Sequence, residues 1–279
     1  MSVNVKRYVD ADVFLRRAEA WLLQEEAEHN LILGIAAQLR ASAIELTQPM
    51  YLATVEDDGD IVGCAFRTPP FKLGITRLPA HAAPALAESV AAAYDSIPAV
   101  LGPEDAVRPF AHAWCERTGV RSSISMRQRI YQLTRVVPPP APAPGELRLA
   151  TMSELPLIRD WIGAFTDEAN HGVPVLRDPA PKVLRGSYYV WWLDEVPRAM
   201  VGVAARTPHG ARIGPVYTPP SERGRGFASV AVAQVSQLQL GDGCAFCFLY
   251  TDLANPTSNS IYQRVGYEPV CDVLDCEFT

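Results

Sequence analysis

The sequence lacks the long apolar run that a membrane-spanning helix requires. Such a helix needs roughly 20 consecutive apolar residues, and no stretch of the 279-residue chain approaches that length. The opening segment, MSVNVKRYVD, has no apolar core of the kind found in secretory signal peptides. We therefore expect a cytoplasmic protein that has no membrane partner.

A surplus of basic residues is also missing. The chain has 25 Lys and Arg residues against 31 Asp and Glu residues, which gives a formal net charge of −6. Proteins that bind nucleic acids through the phosphates usually carry a positive net charge. The charge balance argues against a nucleic-acid partner and suits a cationic substrate.

The six cysteines do not form a metal-binding or disulfide pattern. Cys244 and Cys247 lie in a run that is apolar and typical of a strand, where residues three apart point to opposite faces. The pair is therefore poorly placed to share a metal ion or a disulfide. We expect all six to be buried, reduced thiols, and we expect no bound metal.

Proline is concentrated in one segment, VVPPPAPAPGE at residues 136–146. Its prolines disfavour helix and sheet and predict a semi-rigid, extended connector. We expect one domain at residues 1–137, a linker at 138–145 and a second domain at 146–279.

The two halves follow the same order of elements, which suggests an internal duplication. Each begins with a helical pattern, continues into two strand-like segments around an acidic turn, and then alternates helices with strands. This order predicts an α/β (α+β) fold with two tandem domains, each a mixed, mostly antiparallel sheet flanked by helices. The matching segments are helices at 11–40 and 152–170, strand pairs at 50–69 and 188–207, and helices at 83–94 and 227–240.

A glycine-rich turn, SERGRG, precedes the apolar helix of the second half. Backbone amides at a helix N-terminus bind anions. Gly224 and Gly226 have no side chains, so an anion could approach the backbone closely. Arg223 and Arg225 add positive charge. The spacing differs from the Rossmann and P-loop motifs, and the turn is suited to a pyrophosphate.

Two segments of this half resemble the signatures of the GNAT superfamily of N-acetyltransferases. RGRGFA, at Arg223–Ala228, matches the pattern Q/R-x-x-G-x-G/A. The second signature has an Asn, then a Tyr seven residues later and a Gly-Phe/Tyr pair four residues after that, and it falls on Asn255, Tyr262, Gly266 and Tyr267. The resemblance covers about residues 145–279. The first half is similar in element order, but its segment 71–88 lacks the first signature, so we interpret it as a degenerate copy without the cofactor loop.

The resemblance implies that acetyl-CoA lies between two splayed strands, within segments 212–220 and 244–253. Backbone amides of the loop would bind the pyrophosphate, and the end of the first strand would pair with the pantetheine arm. Asn255 would contact the cofactor and also suits the cap of a helix that begins at Pro256. The implied cofactor-binding residues are Val216, Tyr217, Thr218, Arg223, Gly224, Arg225, Gly226, Phe227, Ala228, Ser229, Asn255, Ser258, Asn259 and Tyr262.

Tyr262 is the expected catalytic residue. A departing thiolate needs a proton, and a phenol with a pKa near ~10 is protonated at neutral pH. The alternative is an aromatic ring that only fills space. The strand before the loop has no carboxylate to act as a base. Glu168, Asp167 and His171, a water chain, or no dedicated base at all stay open.

Aromatic residues could line the acceptor pocket or belong to the core. They are Trp161, Phe165 and the run Tyr188–Trp192. The sequence marks no convincing interface, so the oligomeric state stays open.

The sequence thus predicts an acetyl-CoA-dependent N-acetyltransferase that acts on a primary amine of a small molecule or peptide. One variant of this reading is transfer to an amino-sugar conjugate, as in mycothiol synthase, which also has two such domains. A different class is a non-catalytic acyl-CoA-binding or regulatory module. A longer acyl group is a third alternative, although the bulk of Tyr217 near the thioester favours acetyl.

Overall fold

The structure is a computed structural model that describes residues 3–41, 49–169 and 178–279. In chain order its strands and helices are β1 (Val3–Tyr8), α1 (Ala11–Leu22), α2 (Asn30–Arg40), β2 (Tyr51–Asp57), β3 (Asp60–Arg67), β4 (Leu73–Ile75), α3 (Ala83–Ala91), β5 (Ala99–Pro103), α4 (Glu104–Thr118), β6 (Ser122–Leu133), β7 (Glu146–Leu149), α5 (Leu155–Ala169), α6 (Ala180–Leu184), β8 (Tyr188–Leu193), β9 (Val196–Arg206), β10 (Gly210–Tyr217), α7 (Phe227–Gly241), β11 (Phe246–Asp252), α8 (Pro256–Val265) and β12 (Glu268–Phe278).

The chain divides into two compact units that follow packing rather than chain order. Unit 1 contains Met1–Ile130, Tyr250–Ala254 and Val270–Thr279, and unit 2 contains Tyr131–Leu249 and Asn255–Pro269. Most of β12 therefore packs with unit 1, where it pairs antiparallel with β5. The linear division into domains at 1–137 and 146–279 stays a prediction.

Unit 1 is built on a mixed sheet. Strand pairs β1–β2, β2–β3 and β3–β4 are antiparallel, whereas β4–β5 is parallel. The turn between β2 and β3 consists of Asp58 and Gly59, which both have positive φ values. Positive φ at both central residues is typical of tight hairpin turns, so the acidic turn seen in the sequence forms a hairpin.

Unit 2 repeats this order of pairings. Strand pairs β7–β8, β8–β9 and β9–β10 are antiparallel, and β10–β11 is parallel. Its hairpin turn at Asp194 and Glu195 also has positive φ at both residues. The predicted fold class, a mixed and mostly antiparallel sheet flanked by helices, is confirmed.

In each unit, helices cover both faces of the strands. In unit 1, α3 and α4 cover one face around Phe110 and Trp114, and α1 and α2 cover the other around Phe14. In unit 2, α7 and α8 pack on one face around Phe227, and α5 packs on the other. Burying one such aromatic side chain contributes roughly 1.5–3 kcal/mol, so these layers hold the sheets together.

The segment 11–40, where the sequence has a helical pattern, forms two helices. Helix α1 ends at Leu22 and α2 begins at Asn30, with a short 3-10 turn after α1. The Asn30 side chain donates a hydrogen bond to the carbonyl of Ala27, and the His29 ring bonds the carbonyl of Leu22. Such side chain–backbone bonds compete with helical ones, which explains the break.

The prediction for the cysteines needs one correction. All six lie in the described ranges as free thiols, four of them buried and two, Cys115 and Cys244, partly exposed. Cys244 precedes β11 and is not part of it, because helix α7 ends in a turn in which Gly243 has a φ of 97°. Its sulfur accepts a hydrogen bond from Arg206 at 3.0 Å.

The proline-rich segment contains neither helix nor strand within its described residues 136–145. Among the helices of residues 3–41, 49–169 and 178–279, none has the length and apolar character of a membrane span.

Candidate active site

The central parallel strands of unit 2 part from each other. Strand β10 pairs with β11 from Gly210 to Arg212, and the described residues show no pairing between these strands beyond that point. The register of β10 against β9 is also irregular between Arg212 and Val216. This segment holds Gly214, with a φ of 141°, and Pro215, which has no amide to donate. A bulge bends its strand, so the local sequence opens the cleft.

The end of β10 is therefore paired with a neighbouring strand on one side only. Val216 and Tyr217 pair with Val201 and Met200 of β9. Their edge towards β11 takes no part in the sheet among the described residues. An extended ligand could bond to this edge as a further strand would. Val216 and Tyr217 are two of the residues that we expected beside the pantetheine arm.

Helix α7 begins at the glycine-rich loop. Gly226 is its N-cap and has a φ of 83°, and Gly224 has a φ of 74°. The helix has its first backbone bond from Val230 N to Gly226 O, at 3.2 Å, and no side chain of the described residues caps it. The amides before Val230 thus have no partner inside the helix and lie at its positive end. Residues 223–226 are exposed, so an anion can reach them.

A buried hydroxyl lies at the end of β10. The Oγ1 atom of Thr218 has no hydrogen-bond partner among the described residues. Leaving such a group unpaired costs free energy. The backbone carbonyl of the same residue accepts a bond of 2.9 Å from Arg223 Nε. Thr218 therefore joins the strand end to the loop and offers one unused polar atom there.

Both arginines of the loop are paired with carboxylates. The Nη2 atom of Arg223 donates to both carboxylate oxygens of Glu168, at 2.8 and 2.7 Å. Arg225 donates to Glu222 at 2.6 Å, and Glu222 also accepts from Arg198 at 2.7 Å. No local sequence pattern indicates Arg198, because it lies on β9, 24 residues before Glu222.

Asn255 has its predicted capping role. Its side-chain oxygen accepts a 3.0 Å hydrogen bond from the amide of Ser258 at the start of α8. The Asn259 side chain donates to the Asn255 carbonyl and accepts from the Tyr131 hydroxyl. Asn255 is exposed, and its amide nitrogen could donate to a ligand. The contact with Tyr131 could not be foreseen, since it joins residues that are distant in the sequence.

Tyr262 is buried in the core of unit 2, in α8. Its ring meets that of Tyr267 edge to face, with the ring centroids 5.9 Å apart. Burial raises the pKa of Tyr262 to about 12. The side chain thus keeps its proton at any pH near neutrality, as a general acid must.

Most of the aromatic residues considered for an acceptor pocket belong to the core. Trp161, Tyr188 and Trp191 are buried, and the Trp191 indole donates to the Pro144 carbonyl at 3.0 Å. The ring of Trp161 also lies 6.0 Å from that of Tyr217. The partly exposed members are Phe165, Tyr189 and Trp192.

The three candidates for a base have different surroundings. Asp167 and Glu168 are exposed near the end of α5, and Glu168 is held by Arg223. His171 lies outside the described residues. Across ranges 3–41, 49–169 and 178–279, no cluster of three or more His, Cys, Asp or Glu side chains could hold a metal ion.

Unit 1 has the same strand arrangement without the loop. Its parallel strands pair at Leu73–Val100 and Gly74–Leu101. Helix α3 follows β4 through a segment without glycine, and its N-cap is Ala82. The Thr76 hydroxyl, near the end of β4, accepts a bond from the Cys64 amide. In contrast to Thr218, this threonine is satisfied internally.

The architecture of unit 2 places it in the class of acyltransferase-like α/β folds that the sequence resemblance implied. Residues 156–267 match the family model described as "Acetyltransferase (GNAT) family". This part of the chain is therefore similar to the GNAT family.

Solved structures of the same fold cover nearly the whole chain. An acetyltransferase of the GNAT family from Colwellia psychrerythraea aligns with a TM-score of 0.59 and 11% identity over 99% of this chain and 100% of its own. A GCN5-related N-acetyltransferase from Sphaerobacter thermophilus aligns with a TM-score of 0.60 and 17% identity, covering 99% and 95%. A tandem GNAT protein from the clavulanic acid biosynthesis pathway gives 0.52 and 12%, covering 100% and 98%. No curated protein matches the sequence.

Proposed function

We propose that the protein is an acetyl-CoA-dependent N-acetyltransferase that acts on a primary amine of a small molecule or peptide. The observation that carries the proposal is the exposed N-terminus of α7, with no side-chain cap among the described residues, beside the parted strands β10 and β11. This pair of features offers amides for a pyrophosphate and a strand edge for an extended arm.

The residues present fit this ligand. The loop has two glycines with positive φ, and a Cβ atom at Gly226 would point towards the side chain of Ala143, 3.7 Å away. The unpaired hydroxyl of Thr218 could bond with the pantetheine arm or the pyrophosphate. Asn255 retains an amide nitrogen for the cofactor while its oxygen caps α8. When bound, acetyl-CoA supplies the acetyl group as a thioester.

Tyr262 is proposed to protonate the leaving sulfur. In the overall reaction a bond forms between the amine nitrogen and the acetyl carbon, and the carbon–sulfur bond breaks. The phenol gives its proton to the sulfur and regains one from solvent, while the surplus proton on nitrogen leaves. Burial raises the pKa of Tyr262 to about 12, so the phenol carries its proton at neutral pH when the sulfur leaves.

Unit 1 is proposed to be a degenerate copy of the same fold. It repeats the strand pairings of unit 2, but no glycine-rich loop precedes α3. We propose that it does not hold the cofactor through a loop. The domain limits 1–137 and 146–279 and a cytoplasmic location belong to the same proposal.

Calorimetric titration with acetyl-CoA tests the cofactor site. We expect micromolar binding to the wild type and its loss in Gly226→Val, because a β-branched residue at a φ of 83° is strained and distorts the loop. Gly241→Val, at the other end of α7, is the control, since a Cβ there meets no described atom within 4 Å. Absence of acyl-CoA binding to the wild type would overturn the proposal.

A further inference from the structure

Unit 1 contains a small cavity at the carboxyl ends of strands β4 and β5. Its walls include Ile75, Thr76, Gly102 and Pro103 from these strand ends, and all the residues that line it belong to unit 1. The volume of the cavity is about 30 Å³. One water molecule needs roughly 10–15 Å³ of such space, so the cavity has room for a group of about two non-hydrogen atoms.

One wall of the cavity carries a buried carboxylate. Glu28 lies between α1 and α2, lines the cavity, and has a side chain that is only 6% exposed. Arg77 Nε donates to its Oε2 atom at 3.1 Å. The other oxygen, Oε1, lies 3.0 Å from the same nitrogen, but it accepts no hydrogen bond from the described residues. A buried acceptor without a hydrogen bond costs free energy, so Oε1 favours a donor from a ligand.

A second buried carboxylate lies beside the cavity. Asp275 follows the lining residue Val273 by two positions, so both side chains point to the same face of β12. Asp275 also pairs with Leu101 of β5, which is another lining residue. The Asp275 side chain is 10% exposed, and its Oδ2 atom is paired with Lys72. Its Oδ1 atom has no hydrogen-bond partner in the described part of the chain.

The charges around the cavity favour a cation. Arg77 is shared between Glu28 and Asp105, so one positive charge faces two negative ones. His29 also lines the cavity, and burial lowers its pKa, so the ring is neutral at neutral pH and does not repel a cation. Its Nδ1 atom bonds the Leu22 carbonyl, which leaves Nε2 as an acceptor.

The thiol nearest to Glu28 does not satisfy this carboxylate. Cys271 is buried and interacts with Glu28, and burial raises its pKa to about 12. It is therefore a neutral thiol, which is a weak donor. An ammonium group forms much stronger, charge-assisted hydrogen bonds with a carboxylate.

We propose that this cavity binds a short primary ammonium group, with Glu28 Oε1 as its main acceptor, His29 on the same wall and the negative charge of Asp275 beside it. An ammonium group has donors and no acceptor, which matches a carboxylate oxygen without a hydrogen bond. Apolar walls that include Ile32 and Phe66 would surround its carbon end. Methylammonium, with two non-hydrogen atoms, has the size of the cavity. This site is in unit 1 and is independent of the function proposed for unit 2.

Calorimetric titration of the full chain with methylammonium chloride, at constant ionic strength, tests the site. We expect saturable binding to the wild type in the millimolar range. Glu28→Gln keeps the shape of the side chain and removes its charge, so it should weaken this binding by about tenfold or more. Glu88→Gln is the control, because it removes an equal charge from a side chain that is 68% exposed, on a helix that covers the other face of the sheet. It should leave the affinity unchanged.

Val273→Ile tests the cavity without changing a charge, and it decides the question if Glu28→Gln does not fold. The added methylene group extends the wall into the space, so methylammonium binding should be lost while the circular dichroism spectrum stays that of the wild type. The bulkier tert-butylammonium ion has the same charge and should not bind. Equal binding of the two ions, or unchanged methylammonium affinity in Val273→Ile, would overturn the proposal.

The remaining outcomes are equally decisive. No saturable binding to the wild type would mean that the cavity holds water only, and the proposal would fail. Methylammonium affinity that Glu28→Gln leaves unchanged would assign the ion to another part of the chain, such as unit 2, and would also overturn it. Acetyl-CoA affinity, measured on the same variants, should not change, so the result is separate from the test of the proposed function.

Discussion

The rings of Tyr262 and Tyr267 meet edge to face, with their planes at 69° to each other. The two phenols have different surroundings. The hydroxyl of Tyr267 is hydrogen-bonded to Ser236 at 2.8 Å in a buried site. Tyr262 is the tyrosine that falls on the GNAT signature, and the high pKa that burial gives it preserves its proton. Both rings belong to the core of unit 2, and Tyr262 is the one that we propose as the general acid.

Tyr262→Phe should remove activity without unfolding the protein. The change keeps the ring and its packing, so we expect the melting temperature and the acetyl-CoA affinity to stay close to those of the wild type. Loss of a general acid typically lowers the rate by about 10²–10⁴-fold. The measurement is kcat, obtained from the rate of CoA thiol release with an amine that the wild type acetylates.

Tyr267→Phe is the matched control. It removes a hydroxyl from the same pair of rings and leaves the buried Ser236 hydroxyl without its partner. We expect it to lower the free energy of unfolding by about 1–3 kcal/mol and to keep kcat near the wild-type value. Equal kcat losses in both variants would argue that the aromatic pair acts through packing alone.

Alkaline titration should reveal the buried phenols. Burial raises the pKa of Tyr262 and that of Tyr51, in unit 1, each to about 12 from an ordinary value of 10.0. The folded protein then holds protons that the unfolded chain has lost, so stability is complete below pH 10 and falls as the pH rises towards 12. Each residue contributes roughly 3 kcal/mol, because one pKa unit corresponds to about 1.4 kcal/mol.

Ultraviolet absorbance of tyrosinate measures this effect. In the wild type, Tyr262 and Tyr51 should ionise late, together with the unfolding of the chain, and so should Tyr267, whose pKa burial also raises well above its ordinary value. Tyr262→Phe should remove one late-titrating group and lessen the loss of stability between pH 10 and 12. Ionisation of all tyrosines near pH 10 in the folded protein would contradict the prediction.

The sequence predicted the hairpins, the α7 segment and the loop well, because each is encoded by neighbouring residues. The residues Asp58–Gly59 and Gly224–Gly226 are of types that favour turns with positive φ, and they adopt positive φ in the structure at Asp58, Gly59, Gly224 and Gly226. The break between α1 and α2 depends on side chains such as Asn30 that bond to the local backbone, and periodicity alone does not show it.

The site was predicted less completely, since several of its contacts join distant residues. Glu168 is 55 residues from Arg223, and Arg198 is 24 residues from Glu222. Sequence spacing identified the loop arginines but not the carboxylates that neutralise them. Most of β12 packs with unit 1. This packing is likewise a tertiary contact that no local sequence pattern indicates.

Asn255→Asp should separate capping from cofactor binding. Aspartate keeps an oxygen that can accept from the Ser258 amide and is an equally good N-cap. It lacks the amide nitrogen that we propose for the cofactor, and it adds a negative charge. We expect an unchanged melting temperature and a weaker acetyl-CoA affinity, by about tenfold, equivalent to one lost hydrogen bond.

Asn255→Ala provides the comparison. It removes both functions, so it should also lower stability by about 1 kcal/mol through the loss of the cap. Thermal melting and calorimetry on the two variants measure the two effects separately. If Asn255→Asp binds acetyl-CoA as tightly as the wild type does, Asn255 is only a cap.

Gly202→Ala should disturb the bulge that opens the cleft. A Cβ atom at Gly202, on β9, would lie 2.7 Å from the Gly214 carbonyl oxygen and 2.9 Å from Pro215 Cδ. These atoms belong to the irregular segment of β10, so relief of the clash must move that strand. We expect a loss of stability of about 1–3 kcal/mol and a weaker acetyl-CoA affinity, because the edge of β10 shifts.

Gly163→Ala is the control for this change. Gly163 lies inside α5, and a Cβ there meets no described atom within 4 Å. Alanine is a better helix former, so this variant should gain up to about 1 kcal/mol and bind acetyl-CoA normally. Urea unfolding and calorimetric titration of both variants make the comparison. Should Gly202→Ala lose stability but bind acetyl-CoA normally, the bulge of β10 would matter for packing and not for the ligand, and the strand-edge part of the proposed cofactor site would be wrong.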